Sequence, residues 1–71
     1  MANQIDVNKL KQAEATSSIA KDLITQAIEQ SAANQVLAQE ALKKASEEIA
    51  QTLSLVSQVE TTLKAQSSQS E

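Results

Sequence analysis

The residues of this 71-residue chain that could do chemistry are few, and their spacing counts against it. Glu47 and Glu48 are a carboxylate pair of the kind that general acid–base catalysis uses. Adjacent residues of a helix, however, point about 100° apart and cannot share one site. Glu40 and Glu47 flank Lys43 and Lys44, a pattern that reads as a solvated charged face. Ser17 and Ser18 offer hydroxyl nucleophiles, but the chain has no His to serve as their base, and nothing activates them. The absence of Cys and His together removes thiolate chemistry, disulfides and nearly every transition-metal site. Without Gly there is no phosphate-cradling loop. The expectation is a non-enzymatic protein with no cofactor, no metal and no small-molecule substrate.

The elements that would have to position any site are helical. Gly and Pro, the usual residues of tight turns and hairpins, are both absent, which argues against an all-β fold. Ala, Leu, Gln, Glu and Lys dominate, and all favour helix. At about 100° per residue, Ile19, Ala20, Leu23, Ile24, Ala27 and Ile28 fall on one half of a cylinder. If the count runs on without a break, Leu37, Ala38, Ala41, Leu42, Ala45, Ile49, Leu53, Leu55, Val56, Val59 and Leu63 land on the same half. The spacing therefore predicts an all-α protein. It would be a long amphipathic helix forming a coiled coil, or a helical hairpin or bundle, oligomeric or covered by a partner. Within this one small domain the expected elements are a short helix over 5–15, a helix over 19–30 and a main helix over 36–64. Glu40 with Lys44, Lys43 with Glu47, Lys44 with Glu48 and Glu60 with Lys64 add (i, i+4) pairs to the main helix. The polar run 66–71 reads as a frayed tail.

Two polar gaps interrupt the stripe. In the first, Glu14 to Ser18, the hydroxyls of Thr16, Ser17 and Ser18 are placed to cap a helix starting at Ile19. In the second, Glu29 to Gln35, Ser31 to Asn34 is the best turn in the chain, with Asn34 as an N-cap. A turn there gives a hairpin. Without one the chain is a continuous rod, with Ser31 and Gln35 as a polar layer of the sort that fixes coiled-coil register. The unbroken angular phase favours the rod, and the polar gap favours the hairpin.

Ile28, Leu42, Ile49, Val56 and Leu63 stand at multiples of seven, with Gln35 in the missing step. Three positions on from this row stand Ile24, Ser31, Ala38, Ala45, Thr52 and Val59, mostly small. Large residues alternating with small ones on one face let helices approach closely. The breadth added by Leu53 and Leu55 suits burial against more than one neighbour. The candidate protein interface is accordingly Ile24, Ile28, Ala38, Leu42, Ala45, Ile49, Leu53, Val56, Val59 and Leu63.

Sixteen aliphatic residues, one Met and no aromatic make a thin core for a lone chain, so another copy or another protein is expected to cover the stripe. The net charge of −3 and the lack of both Arg and aromatics disfavour nucleic acid. A membrane surface is disfavoured too, because the polar face is acidic and Gln/Ser-rich and carries no Trp or Phe anchor. No apolar run is long enough to span a bilayer, and the N-terminal residues MANQIDVNKLK lack the apolar segment of a secretory signal. The expectation is a soluble protein, either cytoplasmic or exported by a signal-independent route.

Two functions fit these residues. One is a structural subunit that associates with itself into a coiled coil, bundle or helical filament. The other is a small acidic adaptor or co-chaperone that binds another helical protein, such as a component of a bacterial secretion apparatus. In size, acidity and helical composition the chain is similar to co-chaperones and to needle or pilin subunits of bacterial secretion machines. No family motif accompanies that likeness. Soluble, aromatic-free helices rich in Ala, Ser and Gln favour the self-assembling subunit.

Overall fold

Asp6 starts the first helix. Its backbone is extended and its side chain accepts a hydrogen bond from the Lys9 amide at 3.0 Å, meeting one of the donors that a helix start leaves unpaired. A computed structural model of the chain describes residues 5–69, with the side chains of 66–69 left aside. Helix α1 runs Val7–Gln30 and helix α2 runs Gln35–Gln69. The two pack along each other as an antiparallel all-α hairpin, about 57 Å long and 15 × 11 Å across.

The expected break at 14–18 does not occur, and the segments anticipated over 5–15 and 19–30 are one helix of 24 residues. The hydroxyls there do not cap a new helix. Thr16 donates back to the Ala13 carbonyl at 3.0 Å and Ser17 to the Glu14 carbonyl at 2.8 Å. Each thereby satisfies itself against the preceding turn, which leaves the ladder intact. At the other end α2 extends beyond 64, as far as Gln69, so the part of the expected tail over 66–69 is helical. Residues 70 and 71 of that tail lie outside the described residues.

The chain turns at Ser31–Asn34, and the continuous rod is set aside. It turns without glycine because no residue there needs a left-handed conformation, and no positive φ occurs among the described residues. Ser31 stays right-handed, its amide reaching the Ile28 carbonyl at 3.3 Å and its hydroxyl donating to the same oxygen at 2.8 Å. The amides of Ala33 and Asn34 both reach the Gln30 carbonyl, at 3.1 and 2.8 Å. These three- and four-residue bonds give partners to the carbonyls of Ile28 and Gln30 at the end of α1. The Asn34 side chain then accepts from the Leu37 amide at 3.1 Å and caps α2.

The core between the helices is small. Its buried residues are Ala13, Ala20 and Ala27 on α1 and Ala38, Ala41, Ala45 and Val59 on α2. Leu23, Leu55, Val56 and Leu63 are half-buried beside them. Alanine makes up most of the core, spaced by seven at 13, 20 and 27 on α1 and at 38 and 45 on α2, with Val59 as its one larger buried residue.

Candidate interaction surface

Two polar contacts fix the register of the hairpin. Lys9 Nζ donates to Gln58 Oε1 at 2.8 Å, and the hydroxyls of Thr16 and Thr52 meet across the seam. The paired numbers sum to 67 and 68. Each Thr hydroxyl also lies within reach of a carbonyl on its own helix, Ala13 for Thr16 and Glu48 for Thr52. Each hydroxyl has one proton, so one of them donates across the seam while the other keeps its own carbonyl.

With the register set, the large aliphatic residues fall beside the seam instead of in it. Ile24, Ile49, Leu53 and Val56 line a shallow apolar groove floored by Ala20 and Thr52. A second groove joins it at Ser17, Thr52 and Val56 and carries the surface on to Leu10 and Val7. At about 100° per residue Ile28 and Leu42 lie on the same side, roughly 60–80° from the seam. By this register Val56, Ile49 and Leu42 stand within one to two residues of the levels of Leu10, Ser17 and Ile24, in three steps each one heptad apart. Charge enters this face at Lys11 and Glu14, which line one groove, and at Lys21, which lines the other.

The opposite side of the hairpin is mixed. Gln26, Gln30, Glu40 and Lys44 line a groove there around Leu23, Leu37 and Ala41. Glu40, Lys43, Lys44 and Glu47 surround an open polar recess, and all four are exposed. Among the described residues no group of acidic, His or Cys side chains could hold a metal ion. Nor is any helix among them long and apolar enough to cross a membrane.

The residues expected at the interface therefore separate into three sets. Ala38, Ala45 and Val59 are buried in the seam against α1 of their own chain and are not available to a partner. Ile24, Ile28, Leu42, Ile49 and Leu53 are exposed, Ile28 at 68% and Leu53 at 65%. Val56 and Leu63 are half-buried at the boundary. Leu10 belongs to the face and was not among the residues expected there. Its spacing of two heptads from Ile24 was the available signal, hidden by the polar Ser17 between them. The alanines of α1 at 13, 20 and 27 were likewise missed as a row, although their spacing by seven is plain in the sequence. No protein family, curated protein or solved structure matches the chain.

Proposed function

We propose that this protein is a non-enzymatic assembly subunit that associates with copies of itself through the aliphatic face of the hairpin. The observation that carries the reading is the division of labour among its apolar residues. The hairpin closes on alanine, while Leu10, Ile24, Ile28, Leu42, Ile49 and Leu53 all stay exposed. Single exposed aliphatics are ordinary on a protein surface. A run of them on one side, shared by two helices and rimmed by polar residues, is the pattern of an interaction site. The thin alanine seam supports the same reading, because a hairpin without a larger core gains its stability by covering more apolar surface.

Ile49 is the residue to change, since it stands at the middle of the face and is 49% exposed in the hairpin. An Ile49→Asp substitution leaves the seam untouched and places a carboxylate where a second apolar surface would sit. Sedimentation equilibrium across a concentration series should show a discrete oligomer for the parent chain and a lower mass for this variant. Lys44→Asp, on the opposite side, should keep the parent mass. If both variants keep that mass, the face is not the interface. A parent chain that stays monomeric at every concentration would move the face to a different protein, as the adaptor reading requires.

A further inference from the structure

We infer that two copies of this chain exchange helices, each straightening at Ser31–Asn34 so that its α1 packs on the α2 of the other. The inference goes beyond the self-association reading and does not rest on it, because exchange uses the seam and leaves the aliphatic face free. The hairpin itself fixes the occupant. The surface that fits α2 is α1, and a second copy carries an identical one.

The observation that carries the inference is the phase of the seam across the turn. Counted as one unbroken helix at about 100° per residue, the buried residues of both helices fall within about 80° of one another. A hairpin does not require this, since its turn can deliver α2 at any rotation. One register also describes the whole seam. Thr16 meets Thr52, and the buried or half-buried positions 13 and 55, 20 and 48, 27 and 41, and 30 and 38 pair at the same sum of 68. The next layer in that series is position 34 against itself. Asn34 stands seven residues from both Ala27 and Ala41, in the row of the buried alanines. In the straightened chain the seam runs through 27, 30, 34, 38 and 41, steps of three and four that stay on one side of a helix. The two-fold axis then passes between Asn34 and the partner's Asn34, a polar layer of the kind that fixes register.

Nothing in the turn resists straightening. Ser31 is already right-handed, with φ −57° and ψ −34°, and no described residue has a positive φ. Ala32 and Ala33 are the best of helix formers. The four-residue ladder reaches Asn34, whose amide donates to the Gln30 carbonyl at 2.8 Å, and has resumed by Ala38, whose amide donates to the Asn34 carbonyl at 3.0 Å. Straightening gives the amides of Gln35, Val36 and Leu37 the carbonyls of Ser31, Ala32 and Ala33, at the loss of the Asn34 side-chain bond to Leu37. The seam contacts are the same in both forms, so concentration decides between them.

Two chains test this, both carrying Ile49→Asp so that the aliphatic face does not contribute. One has Thr16→Cys and the other Thr52→Cys, each a single thiol because the chain has no cysteine. Closed hairpins keep these thiols in separate seams, whereas exchange brings them across one. Unfolded together, refolded at about 1 mM and mildly oxidised, the mixture should form at least about fivefold more covalent mixed dimer than at about 10 μM, and more covalent dimer than either chain alone. Inserting two Gly after Ala33 in both chains turns the second half of the seam by about 200° and should abolish the mixed dimer, with circular dichroism showing the hairpin intact. Asn34→Ala removes the cap that holds the turn and extends the alanine row, and should raise the association constant of the mixed dimer about tenfold. A mixture that cross-links no better than the single chains overturns exchange, and one indifferent to the two Gly overturns the straightened turn. Neither result touches the aliphatic face, which stands or falls on the mass of Ile49→Asp.

Discussion

Ala45→Leu tests the alanine seam most directly. Ala45 is the most buried residue of the core, at 2% exposure, and the register puts it level with the stretch from Ala20 to Leu23 on α1. Leu adds three carbons where the opposing helix already fills the space. The new side chain must push the helices apart or adopt a poor rotamer, and overpacking of this kind costs about 1–3 kcal/mol. For a chain of this size each kcal/mol lowers the melting temperature by about 4–8 °C, so a fall of about 5–20 °C is expected. Ala50→Leu is the matched control, the same change at an exposed position of the same helix. It should stay within about 0.5 kcal/mol of the parent. Urea unfolding followed by circular dichroism, at two protein concentrations with the mass measured at each, separates seam stability from assembly. If Ala45→Leu were as stable as Ala50→Leu with an unchanged mass, the helices would not approach closely at that level, and the seam described above would be wrong.

The remaining predictions concern the turn and the threonine layer. Inserting two Gly after Ala33 should change stability by no more than about 1 kcal/mol, because loop lengthening is entropically cheap; a large loss of helical signal would contradict the hairpin. Asn34→Ala removes the cap on the Leu37 amide and should cost about 1 kcal/mol, with faster hydrogen exchange confined to the first turn of α2. Unchanged exchange at Leu37 and Ala38 would show that the cap is unimportant. Thr16→Val or Thr52→Val alone should cost at most about 1 kcal/mol, and the pair together should match or exceed the parent in urea unfolding, since two apolar isosteres leave no hydroxyl unpaired. A double variant that lost more than about 2 kcal/mol would make the threonine contact a stabilising layer in its own right.

Much of this fold is written locally. Ala, Leu, Gln and Lys without Gly or Pro determine helix. The polar gap with Asn34 at its end marks a place to turn; the start is less plain, since Asp6 and Asn8 are both capping residues and the structure uses Asp6. The first polar gap misled because a Ser or Thr side chain has two local uses. It can cap a helix or bond the preceding turn, and Thr16 and Ser17 do the second.

What the sequence by itself determined is the existence of a broad apolar stripe, but not how that stripe is shared. Ala45 and Ile49, like Ala20 and Ile24, are only about 40° apart around a helix, too close for periodicity to tell which row faces the neighbouring helix. That was decided in three dimensions, by the rotation at which the short turn from Gln30 to Asn34 delivers α2 to α1. At this rotation Ala20 and Ala27 lie opposite the stretch that carries Ala41 and Ala45, while Ala13 is level with Leu55, and the backbones can close together. Bulkier side chains in those positions would hold the helices apart, so Ile24, Leu42 and Ile49 are left at the edge, facing outward.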